Sequence, residues 1–349
     1  SGPAIALVET SLVRFSPDPE GLQSLLEEIP ELKKTIDVAR IGFDGTTVSI
    51  LEMPKFEYSL EDGRVSSGGL KAELTYSLVS GALSGSYDIQ SVEFSMAEEG
   101  SMVWEGLTGE FDLHKVLPMV YVGPSKAVVG AMEINYPSLE TAELEVVWVE
   151  EMELTSNSSF DGQMINLQQK SMFGGITIDS EKYGPLFIDA EAKNLDARAL
   201  SEFQKQVIAH YKDTSSLDPD AIAGTILPMY LELFGQLLAG DPEMNIRKFS
   251  LVTPKGDAEG NFDLKVAGIR DVSFDDPTKL LLYLQHIDSS ANLTVDESLV
   301  QAIMLAQAKS GINEQVAVAT LLEQGLELSD QQIEEMAVQQ YEQQLEMMI

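Results

Sequence analysis

The stretch LKAELTYSL, Leu70–Leu78, decides the fold class. Leu70, Ala72, Leu74, Tyr76 and Leu78 fall on one side of an extended chain, and Lys71, Glu73, Thr75 and Ser77 fall on the other. A period of two with one polar side is the pattern of a β-strand that covers something apolar on one face and meets water on the other. The same reading extends in both directions. PKFEYSL, MEINY, GGITID and PLFIDAEA alternate in the same way. In AELEVVWVEEMEL, residues 142–154, Leu144, Val146, Trp148, Met152 and Leu154 share one side, with Glu150 interrupting the apolar series. Glu143, Glu145, Glu151 and Glu153 share the other. Glycine and serine clusters (EDGRVSSGG, SGALSGS, SNSSFDG, FGG) punctuate these runs. From about Thr47 to Ala192 the sequence predicts a long antiparallel meander with one wet face.

Upstream, SPDPEGLQSLLEEIP predicts a short helix. Asp18 caps it, Pro19 takes its first position, and Leu22, Leu25 and Leu26 form one face before Pro30 ends or kinks it. Downstream the period changes. NLDARALSEFQKQVIAHYKD predicts a helix capped by Asp196, with Leu200, Phe203, Val207 and Tyr211 on one face. SLDPDAIAGTILPMYLELFGQLLAG carries Ile226, Leu227, Leu231, Phe234, Leu237 and Leu238. That helix is either kinked at Pro228 or starts there, stops at Gly240, and is expected to pack under the sheet. A second β stretch follows from Met244 to about Leu284. TVDESLVQAIMLAQAKSG then predicts a helix from the capping box Thr294-x-x-Glu297 to Gly311. NEQVAVATLLEQG follows. The last segment starts at Ser329-x-x-Gln332 and has a thin apolar line of Ile333, Met336, Ala337, Leu345 and Met348, with Tyr341 between.

The stretch Thr253–Gly268, TPKGDAEGNFDLKVAG, has the raw material of an ion or phosphate loop. It fails the calcium-loop pattern at its third, fifth and sixth positions and ends in Gly268, not glutamate. A phosphate loop needs a helix after the glycines, whereas Phe262, Leu264 and Val266 alternate with Asp263, Lys265 and Ala267. Phe249 and Leu251 alternate before it, so the glycines belong to a hairpin turn shaped by Pro254 and Gly256.

The chain has 349 residues, 57 acidic against 22 basic, a net charge of −35 and 44% hydrophobic residues. That is enough apolar material for a folded domain. A surface so acidic repels nucleic-acid backbones and offers no basic patch for anionic lipid. With no cysteine, disulfides, thiolate metal sites and a cysteine nucleophile are excluded. His114, His210 and His286 are far apart in sequence, and each reads as structural. No apolar run is long enough to span a bilayer.

No nucleophile elbow, phosphate loop or dinucleotide fingerprint is present. Asp275, Asp276 and Pro277, and Glu150, Glu151 and Glu153, are acidic pairs that a glycosidase or a cation would need, but adjacent carboxylates are common in so acidic a chain. Trp104 and Trp148 read as sheet anchors, with sugar stacking as the alternative. No residue is assigned a catalytic, cofactor or metal role.

Four segments, NLDARALSEFQKQ, ILPMYLELFGQLLAGDPEMNIRKFSLVTPKGDAEGNFDLKV, SANLTVDESLVQAIM and IEEMAVQQYEQQLEMM, together resemble the YdgA-like family of Gram-negative bacteria, a family of unknown function. LLAGDPEMNI, Leu237–Ile246, and the turn from Ser250 to Gly256 carry the resemblance most clearly. It is firm over residues 190–349 and looser before them. The resemblance implies a hydrophobic anchor in the inner membrane ahead of Ser1, a body in the periplasm, and a final β-hairpin beyond the last helix. The expected architecture is α+β: a large, mostly antiparallel meandering sheet with helices on one face and a helical C-terminal segment. Residues 1–192 form its β-rich part and 193–349 its helix-strand-helix part, within one elongated domain. The expected role is non-enzymatic, as a binding or scaffolding protein of the cell envelope. A carrier or chaperone for an apolar ligand such as lipid, using a groove on the sheet, is the alternative. A carboxylate-based polysaccharide hydrolase is the remote one.

Overall fold

The structure is a computed structural model. It describes residues 4–11, 27–60, 62–96, 100–137, 144–178, 180–213, 219–269, 284–321, 329, 332–333 and 335–339. Antiparallel strands dominate, as the alternation in the sequence requires. In chain order they are β1 (Ala4–Ser11), β2 (Ile36–Gly42), β3 (Thr46–Met53), β4 (Phe56–Ser59), β5 (Gly63–Ser67), β6 (Leu70–Ser77), β7 (Ala82–Ile89) and β8 (Val92–Met96). Then come β9 (Gly100–Trp104), β10 (Leu107–Leu117), β11 (Val120–Val122), β12 (Pro124–Val129), β13 (Met132–Pro137), β14 (Leu144–Val149) and β15 (Met152–Phe160). The last are β16 (Met164–Phe173), β17 (Ile176–Ile178), β18 (Glu181–Tyr183), β19 (Leu186–Asp196), β20 (Glu243–Thr253), β21 (Gly256–Val266) and β22 (Ile287–Val295).

The strands form two sheets, and the connection between them determines the architecture. The larger has 14 strands, in the order β1-β2-β3-β6-β7-β10-β12-β15-β16-β19-β20-β21-β22 with β11 beside β10. The smaller has eight, in the order β18-β17-β14-β13-β9-β8-β5-β4. Strand for strand, β3 runs into β4, β6 continues from β5, β7 runs into β8, and so on to β18 and β19. The chain passes between the sheets eight times, each time through two residues. The two sheets are therefore one serpentine sheet creased along a line.

The crossing quartets are Met53–Phe56 (MPKF), Ser67–Leu70 (SGGL), Ile89–Val92 (IQSV), Trp104–Leu107 (WEGL), Val129–Met132 (VGAM), Val149–Met152 (VEEM), Phe173–Ile176 (FGGI) and Tyr183–Leu186 (YGPL). All but the second have an apolar residue at both ends. Neighbouring crossings hydrogen-bond reciprocally. Gly68 N donates to Ser91 O (2.7 Å) and Gln90 N to Gly69 O (2.9 Å). Glu105 N donates to Ala131 O (2.8 Å) and Gly130 N to Gly106 O (2.7 Å), and Glu150 N and Gly174 N donate to Gly175 O and Glu151 O (2.8 and 2.9 Å). The crease thus keeps its backbone groups satisfied while the strands change direction. Gly106 holds φ +115°, and a Cβ there would run into the carbonyl oxygen of Ile89, so this corner needs glycine.

Several expectations change. AELEVVWVEEMEL is two strands in different sheets, not one. The chain turns at Glu150–Glu151, and the apolar phase slips, so Val147 and Val149, not Val146 and Trp148, lie on the side of Met152. Strands also begin before Thr47, at β1 and β2, and the expected limit at Ala192 falls inside β19. The second β stretch is a hairpin, β20–β21, and β22 is a further strand within a segment expected to lead into a helix. Thr294 sits in β22, so it caps nothing. Helix α3 (Glu297–Leu321) starts after Asp296, whose carbonyl accepts from Leu299 N and Val300 N, and it runs straight through Gly311.

Other expectations hold. Helix α1 (Ala197–Asp213) is capped by Asp196, whose Oδ1 accepts from Arg198 N (2.8 Å) and Ala199 N (2.9 Å). The Ser329 box forms, with Ser329 N donating to Gln332 Oε1 (2.9 Å) and Gln332 N to Ser329 Oγ (3.4 Å). Ala337 and Ile333 of that segment pack with Ala308 and Ile312 of α3. Helix α2 (Pro219–Leu238) runs through Pro228 and ends at Leu238, and the left-handed residue past its end is Asp241 (φ +55°), not Gly240. This helix meets α1 and β19, and the Phe203 and Tyr230 rings form a tilted pair with centroids 4.9 Å apart. Leu227 is 61% exposed and Tyr230 and Leu231 are exposed too, so this stripe of α2 faces solvent rather than packing under the sheet. The helix predicted over 18–29 falls largely outside the described residues, as do Asp275, Asp276, Pro277, Tyr341, Leu345 and Met348. Pro30 itself starts a 3-10 turn, Pro30–Lys34.

The buried core is at the margins of the sheet. Val120, Val122, Ile165 and Ala197 cluster where α1 seats against β10, β11 and β19, and Ser201 Oγ ties α1 to Pro118 O at 2.6 Å. Ile29 and Leu32 form a second cluster with Met53, Phe56 and Tyr58. In the middle strands β6, β7, β10, β12 and β15, no side chain is buried.

Candidate functional site

The register aligns the crossing quartets into two apolar rows, one on each side of the crease. On the large sheet the directly paired residues are Met53, Leu70, Ile89, Leu107, Val129, Met152, Phe173 and Leu186. The row continues through Leu251, Ala258 and Val295 to the edge at β22. On the small sheet the row is Phe56, Ser67, Val92, Trp104, Met132, Val149, Ile176 and Tyr183. A second row on the small sheet is equally apolar: Tyr58, Val65, Phe94, Met102, Ile134, Val147 and Ile178. On the large sheet the next row holds Leu51, Ala72, Tyr87, Ala127, Leu154 and Ile188, with Gly109 and Ser171 between.

These rows face into the angle of the crease. Ile29 and Leu32 touch Met53 on one side of it and Phe56 and Tyr58 on the other, which places all three on the concave side. The two residues of each crossing lie between rows that share one face, so an apolar residue recurs at a three-residue step where a continuous strand would place it at two. Eight strands spaced about 4.8 Å apart make a strip about 34 Å long. One end is plugged by Ile29 and Leu32. Two strands past its other end, α3 lies against β21, where Ala258 and Leu299 are buried. Between these ends no described element covers the strip. Leu74 is 38% exposed and Phe94 37%, and their neighbours are half-buried. On the large-sheet wall two adjoining depressions share Tyr87 and Phe111. One, of about 250 Å³, includes Leu51 and Leu74, and the other, of about 280 Å³, includes Ala127 and Leu154.

The opposite face of the large sheet is polar and carries a trough of about 1010 Å³ lined by Glu73, Glu110, Asp112, Lys126, Asn157 and Lys170, among others. Its charges are laddered across strands. Lys71 meets Glu52 at 3.5 Å, Lys126 meets Glu153 at 2.9 Å, and Lys170 lies 3.9 Å from Asp189. Past the trough, the Arg247 guanidinium donates to Glu191 at 2.7 Å and, with the Gln168 amide oxygen turned toward it, to Gln168 at 2.7 Å. The Arg247 hydrogen bond, helped by Lys193, holds the Glu191 carboxyl below the ordinary glutamate range against the opposing effect of its burial. The Glu153 hydrogen bond raises Lys126. These pairs leave the polar face charged but locally neutralised.

The residues weighed from sequence do not converge. Glu150 accepts from Lys182 at the crease and Glu153 pairs with Lys126 on the large sheet. Trp104 lies on the concave side, whereas Trp148, paired with Glu133 beside it, lies on the other. The two rings therefore share no platform. His114 is on β10, His286 Nδ1 lies 2.9 Å from Ala267 O, and His210 is on α1. Among the described residues no group of His, Asp and Glu is placed to hold a metal ion. The stretch Thr253–Gly268 is the turn of the β20–β21 hairpin, at Pro254–Lys255, and its outgoing strand β21. Thr253 Oγ1 donates to Gly256 O (2.7 Å) and accepts from Lys255 N (3.2 Å). A groove on the sheet was expected as the alternative, but its place at the crease was missed because its residues are ordinary strand residues. Its signal is the recurrence of apolar-x-x-apolar at the end of each alternating run.

No helix of the described residues is long and apolar enough to cross a membrane. No curated protein and no solved structure gives a significant match to the chain. The full length, residues 1–349, matches the profile of bacterial proteins of unknown function designated DUF945, extending the resemblance seen in the sequence beyond its C-terminal half. With its creased sheet and half-exposed apolar angle, the chain belongs to the DUF945 family of bacterial proteins.

Proposed function

We propose that this protein is a non-enzymatic binding protein of the bacterial cell envelope, with its body in the periplasm, and that it carries an elongated apolar ligand such as a lipid acyl chain in the angle of its crease. One observation carries the reading: apolar rows flank the crease across eight strands and remain half-exposed beyond the end that Ile29 and Leu32 plug. Apolar surface left open costs about 25 cal/mol for each Å² that could be buried, and contiguous apolar surface of this extent is typical of a ligand groove or an interface. A lipid chain fits the shape better than a compact ligand does, because the strip is long, narrow and without a polar anchor in its middle.

The test is lipid extraction and mass spectrometry of protein purified without detergent from its native compartment, beside Leu74→Glu and Phe111→Glu variants. Stoichiometric lipid on the native protein and its loss from both folded variants support the reading. A lipid-free native protein that takes up no added fatty acid refutes it. Fractionation of cells expressing the full-length protein tests the compartment.

A further inference from the structure

The four ends of the two sheets are not protected alike. On the small sheet the terminal strands are short: β4 has four residues and β18 three. On the large sheet β1 carries an irregular register between Ala4 and Ala6. Short length and bulges are the usual ways a protein discourages a stray strand from adding to its edge. By contrast β22, IDSSANLTV, has nine residues in unbroken register with β21 from Val295 to Ile287. It contains no lysine, arginine, proline or glycine, and its one charge is Asp288. Among the described residues no strand pairs with its outer edge. Its first eight residues are all exposed, with Leu293 at 67%.

We infer that the outer edge of β22 is a docking site for an extended segment of a partner protein, one that alternates cationic and apolar side chains. The alternation comes from the two sides of the edge. On the apolar side stand Leu293, Phe262 and Leu264. On the other side Glu259, Asp263 and Asp288 are exposed, and none is ion-paired to a described residue. The only cation of β21 and β22, Lys265, is engaged by Glu243 at 3.3 Å. An added strand gains main-chain hydrogen bonds from the edge. Its alternate side chains then meet an apolar row and an acidic row. A second copy of this chain is the wrong occupant. It would set an acidic row beside an acidic row and bring together two bodies of charge −35. This inference does not rest on the lipid reading.

The experiment uses the whole protein and a labelled nine-residue peptide alternating lysine and valine. Two control peptides have glutamate in place of lysine, or the same composition with a central proline that cannot extend a sheet. Binding is read by fluorescence anisotropy, and its place by hydrogen exchange. The alternating peptide is expected to bind and to slow exchange at the amides of β22. Both controls and the surface double variant Glu259→Lys/Asp263→Lys are expected to bind roughly tenfold or more weakly. Equal binding of the proline peptide, or protection that falls elsewhere than β22, overturns the inference. So does concentration-dependent self-association of the free protein that protects β22.

Discussion

Replacing Gly106 with alanine tests whether the crease is a built corner or an incidental bend. Gly106 has φ +115°, and so does another glycine nearly: Gly162 at φ +108°, in the β15–β16 turn, where an added Cβ meets nothing within 4 Å. Both substitutions share the cost of placing a side chain at such a backbone angle, about 1–3 kcal/mol. At Gly106 two further costs arise. The new Cβ is driven into the Ile89 carbonyl, an overpacking of about 1–3 kcal/mol. Relief of that clash pulls on the reciprocal bonds Gly130 N to Gly106 O and Glu105 N to Ala131 O, each with a net contribution of about 1 kcal/mol. Gly106→Ala is therefore expected to cost about 3 kcal/mol more than Gly162→Ala. In urea, with a slope of about 3 kcal/mol per molar, that is a midpoint lower by about 1 M. Tryptophan fluorescence is a suitable probe, because Trp104 and Trp148 both lie in the smaller sheet, next to the crossings. Midpoints that agree within about 0.2 M would refute the corner, because that spacing is less than 1 kcal/mol on the same slope.

Three smaller tests follow. Asp196→Ala removes the cap of α1 and is expected to cost about 1 kcal/mol, with Asp196→Ser restoring most of it in thermal melts. Arg247→Ala leaves Glu191 without its guanidinium, with Lys193 still at 3.0 Å, and is expected to lower the melting temperature at pH 7. Because the folded carboxyl is held below its unfolded value, this stabilisation is full above the unfolded glutamate range. It is lost as pH falls through the depressed folded value, so wild type and Arg247→Ala should converge in stability under acid. A gap that stays constant down to low pH would contradict that assignment. High salt is expected to weaken Lys71–Glu52 and its exposed neighbours with little change in overall stability, since such pairs contribute about 0–1 kcal/mol each.

The sheet was legible in the sequence because its signal is local. In LKAELTYSL each side chain reports its own face. The crease was not legible as such, because each crossing is two residues long and imitates a continuing strand. VWVEEMEL shows the difficulty. Counting by twos across Glu150–Glu151 puts Trp148 with Met152, whereas the corner consumes two residues and puts Val149 there instead. Only aligning MPKF, IQSV, WEGL, VGAM, VEEM, FGGI and YGPL reveals one repeated device, and that alignment depends on the register between strands distant in sequence. β22 was hidden for another reason. IDSSANLTV has little alternation and weak strand preference, and it is held as a strand by the ladder from β21. Gly311 reads as a stop, yet a glycine inside a helix costs only about 1 kcal/mol, which the rest of a 25-residue helix absorbs. The Asp196 and Ser329 caps were legible because a cap is satisfied within three residues of itself.

The most direct test of the open apolar angle is photo-crosslinking with a fatty acid that carries a diazirine near the middle of its chain, followed by peptide mapping. Labels are expected on concave-side residues such as Leu74, Phe94, Met102 and Phe111, competed by unlabelled fatty acid. None are expected on the polar trough at Glu110, Lys126 and Lys170. Labelling spread evenly over both faces, or confined to the exposed stripe of α2 around Leu227 and Leu231, would contradict that placement.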